Sequence, residues 1–393
     1  MSDQKLARDL GSQFVIGLPG PELDAATRSL LKTVRPGGVI LFARNLQSPR
    51  QIARLNRELR SLLGSDLLMA IDHEGGRVNR LVGFTGKIPS AQQLCILNDP
   101  ALATEHGRWC GRVLRILGFN LNLAPVLDIL LKPNTDNSVP DRCWGATAEQ
   151  VTRLAGAFLA GLQKEGVLGC GKHFPGYGGV DKDPHLFLPR IERSARQMHQ
   201  EDMAPYDRLI GGRSKRRPGQ AERLHAVMIS HAHTAAFDAK KTPALLSRFV
   251  VQKILRQKYR FKGVIISDDL EMGAIIKTMQ VESAAVKTLD NGIDFPLICH
   301  TPQKIVSAFE ACVKAAEKNK LQPSTLRACR ARIRAFKARF ARPPIFNEAR
   351  WEELVRGSRA FTEKILSLLP DDAKELNLSF RPVGETYTPK YDD

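Results

Sequence analysis

The sequence predicts an α/β fold of the (β/α)8 barrel, or TIM-type, class. Three observations predict it: short apolar, β-rich runs recur eight times, helix-like stretches lie between them, and polar clusters follow the C-terminal ends of the runs. Strands that alternate with helices imply parallel pairing, and eight repeats in about 300 residues fit a closed barrel better than an open doubly wound sheet.

In chain order the runs are Phe14 to Gly17, Gly38 to Phe42, Leu67 to Ile71, Leu121 to Val126, Val167 to Gly171, Ala226 to Ser230, Val264 to Ser267 and Phe295 to Cys299. Between the second and third, Ser48 to Leu63 reads as a helix with Ser48 as N-cap and Pro49 at the first helical position. Between the fourth and fifth, Glu149 to Glu165 places Leu154, Ala155, Phe158, Leu159 and Leu162 on one apolar stripe. After Pro323-Ser324 a basic amphipathic helix sets Leu326, Ile333, Phe336 and Phe340 near one face, which leaves its arginines on a solvated side. Pro343-Pro344 ends the pattern. The expected organisation is a catalytic domain over residues 1–344 and a C-terminal extension over 345–393, partly helical from Glu348 to Leu368 or disordered, packed on the barrel and without a site of its own.

With 43% apolar residues among 393, the chain can bury a large core. No segment approaches 18 uninterrupted apolar residues and the N-terminus lacks an apolar signal region, so no membrane span is expected and the cytoplasm is the expected location. Seven scattered cysteines without a C-x-x-C pair argue against a disulfide framework or a zinc knuckle and read as reduced, mostly buried thiols. The net charge of +18 is concentrated in the helix after Pro323 and in an insertion over 211–220 that carries Arg213-Ser-Lys-Arg-Arg217. Such a field attracts nucleic acid, anionic membranes or acidic substrates, but no aromatics interleave with the basic residues, and nucleic acid is not expected as a partner.

Barrels of this class carry their chemistry on the loops after the strands. The third run ends in Asp72-His-Glu-Gly-Gly-Arg77, the fourth leads to Asp128 and on to Asp141-Arg142, the fifth ends in Lys172-His173, the sixth in His231-Ala-His233 and the seventh in Asp268-Asp269. The densest stretch is Gly169 to Pro189, an apolar run emptying into a loop with Lys172, His173, Asp183 and His185. Its five glycines permit positive φ and close approach to a ligand, while Pro175 and Pro184 stiffen it, a combination that suggests a lid. In Asp183-Pro184-His185 a carboxylate can fix the tautomer of an imidazole that acts as general acid or base, against the plainer reading of a surface Asp-x-His.

Other chemistries compete for these residues. Gly166 to Lys172 matches the spacing of a phosphate-binding loop, but His173 stands where a Ser or Thr must ligate magnesium and the apolar strand overlaps the loop. His231, His233, Lys172, His173 and Asp268 are ligand types for a metal-dependent hydrolase, although a structural histidine is the simpler reading of His233. No metal or other cofactor is expected. Glycoside hydrolysis needs a carboxylate near the anomeric carbon and an acid near the leaving oxygen. Asp268 can be the first, with Asp269 beside it as a helix N-cap, and Asp183 with His185 can supply the second.

The chain resembles the bacterial β-N-acetylglucosaminidases of glycoside hydrolase family 3, the single-domain NagZ type of peptidoglycan recycling. The resemblance covers roughly residues 14 to 340 and runs through GGVILFARN (37–45), IDHEGGRVNRL (71–81), NLAPVLDI (122–129), DRCWG (141–145), GKHFPGYGG (171–179), DPHLFLP (183–189), VMISHA (227–232), LLSR (245–248) and GVIISDDLEM (263–272). It implies Asp268 as nucleophile and His185 as acid/base oriented by Asp183, with Asp72, Arg80, Arg142, Lys172 and His173 binding the sugar. The implied reaction is a retaining removal of terminal N-acetylglucosamine from muropeptides by a monomer: His185 protonates the leaving oxygen, Asp268 forms a glycosyl-enzyme, and the same histidine then activates water. A phosphorylase, with phosphate in place of water, or a β-glucosidase would use the same fold, and a basic nucleic-acid-binding protein with an inactive barrel is the non-enzymatic alternative. The family's loop usually reads FPGHG and DSH, whereas Tyr177 and Pro184 stand here, which predicts activity with altered loop dynamics.

Overall fold

The computed structural model describes residues 3–131, 139–180, 188–211 and 223–374. Eight parallel strands close into a barrel: β1 (Val15–Gly17), β2 (Gly38–Leu41), β3 (Leu68–Ile71), β4 (Leu121–Asn122), β5 (Leu168–Phe174), β6 (Ala226–Ile229), β7 (Val264–Asp269) and β8 (Phe295–Ile298). Each pairs with its sequence neighbours, and β1 closes the ring against β8 with Val15 opposite Leu297 and Ile16 opposite Ile298. Parallel neighbours need a crossover between them, and the intervening helices supply it on the outside. Each of the eight runs read from the sequence forms one barrel strand.

The two faces of the strands bury different partners, as a period of two requires. Leu68, Ala70, Leu168, Cys170, Ala226, Met228, Val264, Ile266, Phe295 and Leu297 share one cluster inside the barrel. Their alternates Met69, Ile71, Val227, Ile229, Ile265 and Ile298 pack outward with the helices. One step further up the strands, the same inward parity falls on Asp72, Lys172, Ser230 and Asp268. The barrel's own alternation thus turns from apolar to charged at the rim where the site lies.

At the opposite end, helix Pro323–Lys337 supplies Ile333 and Phe336 to the interior cluster and Phe340 packs against it. This helix is the floor of the barrel. Its remaining face is basic but partly paired: Arg332 binds Asp294, which also holds Arg256, and Arg330 lies 3.6 Å from Asp9.

The outer helices follow the local rules. Ser48 caps helix Pro49–Leu63 by accepting from the Gln51 amide at 3.1 Å, and Thr147 caps helix Ala148–Lys164 through Gln150. In the tail, helix Glu348–Leu368 buries Trp351, Val355, Phe361 and Ile365. Phe361 stacks on His106, and Gly357 admits the Trp109 ring so closely that a Cβ there would lie 2.3 Å from it. A short helix, Asp371–Lys374, follows. Among the described residues no helix is long and apolar enough to cross a membrane. All seven cysteines are free thiols, six of them buried.

Three local expectations are corrected. β4 is two residues long and not six: Leu123 still bonds the Ile71 carbonyl and the Ala124 carbonyl accepts from Cys170, but Pro125 has no N–H to extend a regular ladder, and Val126 forms only an isolated bridge with Lys172. β5 continues through Phe174, so Lys172 and His173 stand on a strand and not in a loop, and the phosphate-loop reading of Gly166 to Lys172 fails because that stretch is mostly ladder. Of the five loop glycines only Gly176 has a positive φ, +128°. The others answer to space: a Cβ on Gly178 would sit 1.7 Å from the Ile129 carbonyl oxygen.

Candidate active site

At the C-terminal rim, β3 leads through Asp72 into a small antiparallel hairpin, His73–Gly75 with Val78–Asn79. Gly75 makes this possible, with φ of +101° and its α-carbon so near Pro89 that a Cβ would be 2.1 Å from the carbonyl oxygen. Asp72 and Glu74, two residues apart in an extended chain, reach the same cation. Lys172 Nζ lies 2.7 Å from Asp72 Oδ1 and 2.6 Å from Glu74 Oε1. Arg142 comes in from the long loop after β4 and donates through Nε and Nη2 to the two oxygens of Glu74, both at 2.8 Å. Bidentate pairing of this kind fixes the guanidinium plane.

The charges in this network sustain one another. Burial pushes Glu74 toward protonation, but Arg142 and Lys172 outweigh it and hold the carboxyl well below its ordinary range. Burial likewise disfavours the charged forms of Lys172 and Arg142, and the facing carboxylates raise both above their usual values. Two carboxylates and two cations thus oppose one another in a single buried cluster.

On β5 next to Lys172, His173 donates from Nδ1 to Asp128 Oδ2 at 2.7 Å. Asp128 is fully buried, so the tautomer is fixed and Nε2 is left for the open side of the site. The Lys172–His173 peptide bond is cis. Tyr177 is buried with its ring 6.0 Å from that of His173.

Asp268 is the penultimate residue of β7, with its side chain 21% exposed. Burial alone would raise its pKa, but His231, His173, the Asp269 amide and Lys172 together lower it. Its Oδ1 accepts the Asp269 N–H at 2.9 Å, and Oδ2 faces His231 Nε2 at 3.9 Å. An ionised carboxylate at the mouth of an apolar barrel, faced by cations and imidazoles, is a nucleophile's environment. Asp269 is not a helix cap; it accepts from the Glu271 amide in a local turn and from His300 at 3.2 Å, and the next helix begins at Gly273.

Arg80 stands at the rim beyond the hairpin, with its guanidinium over the Phe42 ring at 5.8 Å, beside Arg44, which lies over the same ring at 4.8 Å. The structure thus brings Asp72, Lys172, Arg142, His173 and Asp268 to one rim. Asp183, Pro184 and His185 lie outside the described residues, as does the basic insertion around Arg213 to Arg217.

The pair His231 and His233 does not converge. His231 faces Asp268, whereas His233 belongs to a small parallel sheet with Arg190–Ile191 and bonds the Asp238 carbonyl. Among the described residues no group of three His, Cys, Asp or Glu side chains is arranged to hold a metal ion. Glu74 and the partnership of Asp128 with His173 were not foreseen. The signal for Glu74 was its spacing of two from Asp72 within an extended segment.

Residues 3–335 match the N-terminal domain of glycosyl hydrolase family 3. The chain belongs to that family. Among curated relatives, a β-hexosaminidase of Methylococcus capsulatus is 34% identical over 349 residues, covering 88% of this chain and 98% of its own. One of Tolumonas auensis is 37% identical over 289 residues, 73% of this chain and 82% of its own. A family 3 β-N-acetylglucosaminidase structure from a Paenibacillus strain superposes with a TM-score of 0.81 at 31% identity, over 91% of this chain and 68% of that one. This family 3 member is accordingly a glycoside hydrolase built on a (β/α)8 barrel, of the β-hexosaminidase type.

Proposed function

We propose that this glycoside hydrolase is a retaining β-N-acetylglucosaminidase that removes terminal, β-linked N-acetylglucosamine from muropeptides. Asp268 attacks the anomeric carbon and forms a glycosyl-enzyme; His185, oriented by Asp183, protonates the leaving oxygen and then deprotonates the incoming water. Asp72, Arg80, Arg142, Lys172 and His173 bind the sugar. The observation that supports this reading most is the setting of Asp268, ionised at the inward rim within reach of the cluster that ties Asp72 to Lys172. Asp72 accepts from sugar hydroxyls, with Lys172 Nζ holding its Oδ1 at 2.7 Å. The muropeptide assignment draws on the net charge of +18, which suits an anionic substrate. The enzyme acts as a cytoplasmic monomer without a cofactor, its catalytic unit spanning residues 1–344 and the segment 345–393 serving as an extension.

The test is hydrolysis of an aryl N-acetyl-β-glucosaminide, with the β-glucoside as control and with phosphate present or absent. Turnover selective for the N-acetyl group and lost in Asp268→Ala is expected. A phosphate-dependent sugar phosphate would rename the enzyme a phosphorylase, and equal turnover of the glucoside would make it a β-glucosidase.

A further inference from the structure

His231 is almost fully buried at the end of β6, the strand beside β7, and the mechanism above gives it no task. The two oxygens of Asp268 are not equivalent: Oδ1 is bound by the Asp269 amide, while Oδ2 looks at the His231 imidazole across 3.9 Å. The other groups facing Asp268 are Lys172 and His173 from β5, with Cys170 below them on the same strand. Lys172 is tied to Asp72 and Glu74, and His173 to Asp128. His231 approaches from the neighbouring strand's end and faces Asp268 Oδ2 directly, at 3.9 Å.

We propose that His231 is a positioning residue for the second half of the reaction, stabilising the carboxylate of Asp268 as the glycosyl-enzyme breaks down. The proposal rests on Asp268 being the nucleophile. In that step the bond between the anomeric carbon and the Asp268 oxygen breaks and its electron pair returns to the carboxylate. Water oxygen bonds the anomeric carbon, and the water proton passes to the acid/base. Negative charge therefore reappears on Asp268 in a confined site, where the field of an imidazole 3.9 Å from Oδ2 counts for more than in water. In the free enzyme the same contact favours the ionised carboxylate, in agreement with the lowered pKa of Asp268, to which His231 contributes the largest attractive part.

The test compares His231→Phe and His231→Gln with wild type on two aryl N-acetyl-β-glucosaminides. One has a dinitrophenol leaving group, so that breakdown of the glycosyl-enzyme limits turnover; the other has a poor leaving group. The expected result for His231→Phe is a loss in kcat of about 10- to 100-fold on the activated substrate, at or below the low end for removing one transition-state donor. KM falls with it, and intact mass reveals protein carrying one N-acetylglucosaminyl group. The acid limb of kcat/KM moves to higher pH, because Asp268 loses a group that favours its ionised form, and His231→Gln recovers part of the loss. An unchanged kcat and acid limb in both variants would overturn the proposal. So would an equal loss on both substrates without adduct, the mark of a merely structural residue. Azide added to Asp268→Ala separates the two readings: an α-glycosyl azide confirms the nucleophile, so that an unaffected His231→Phe beside it removes the proposal alone. Absence of rescue removes the nucleophile and the proposal together.

Discussion

Arg142 and Glu74, 68 residues apart, are joined by two parallel hydrogen bonds of 2.8 Å, with both side chains at most one-tenth exposed. Glu74 also holds Lys172, so a single carboxylate orients two of the cations proposed to bind the sugar. Removing its charge leaves Lys172 with Asp72 and deprives the buried Arg142 of its bidentate partner, with Asp141 and Asp128 as its remaining carboxylate neighbours. Glu74→Gln is therefore expected to destabilise the fold by about 3–5 kcal/mol, the range for breaking a buried ion pair. In the fraction that remains folded, KM rises more than kcat falls. Urea denaturation and steady-state kinetics on an aryl N-acetylglucosaminide measure both.

The Asp128–His173 pair makes a different prediction. Asp128→Asn keeps the volume but can present N–H to Nδ1, which would move the imidazole proton to Nε2, the atom proposed to meet the sugar. A loss in kcat/KM of about 10- to 100-fold is expected, on the order of 1–3 kcal/mol for one misdirected hydrogen bond to the substrate, with little change in melting temperature. Near-normal kinetics in this variant would refute a role for the fixed tautomer.

Acid should unfold this enzyme through two buried histidines. Burial lowers His73 to about 4 and His106 to about 3 from an ordinary 6.5. Both are neutral in the fold, so the stability they contribute is complete above pH 6.5 and is lost as pH falls toward those values. Each removes about 1.4 kcal/mol per pH unit in that window. Asp202, raised to about 6 mainly by burial, works in the opposite sense between its ordinary 3.8 and 6 and offsets part of the slope there. Denaturation midpoints taken from pH 7 to pH 4.5 should fall, and His106→Gln should flatten the slope markedly.

Phe336→Ala is expected to cost about 3–5 kcal/mol, the range for truncating a buried aromatic, by opening a cavity in the floor of the barrel. Activity per folded molecule should stay near wild type, since Asp72, Lys172 and Asp268 lie at the other end. A large change in kcat at constant fold would show that floor and rim are coupled.

Chelation gives the last check. Incubation with EDTA should leave turnover unchanged; a loss restored by zinc would return His231 and Asp268 to the metal-dependent alternative.

The barrel was legible because its strands are buried on both faces, so each reads as a continuous apolar run that any local scan finds. The charged rim was legible in part: Asp72, Lys172 and Asp268 end such runs on the inward parity. Glu74 was harder, since its partners lie 68 and 98 residues away and only the closed ring brings them together. His233 sits in the small sheet with Arg190–Ile191, in line with the simpler reading of it as a structural histidine. That His231 faces Asp268 was not readable, because it depends on how the ends of β6 and β7 lie side by side.

The floor of the barrel also sets an order of events at birth. Ile333 and Phe336 leave the ribosome after all eight strands, and β1 waits for β8 before the ring can shut. A nascent chain that has delivered Phe295–Ile298 can close its circle, yet the undersides of Leu68, Leu168 and Val264 stay wet until helix Pro323–Lys337 arrives. Polypeptides released short of that helix would present an apolar ring to chaperones and proteases, so quality control can tell a finished molecule from an interrupted one by its base.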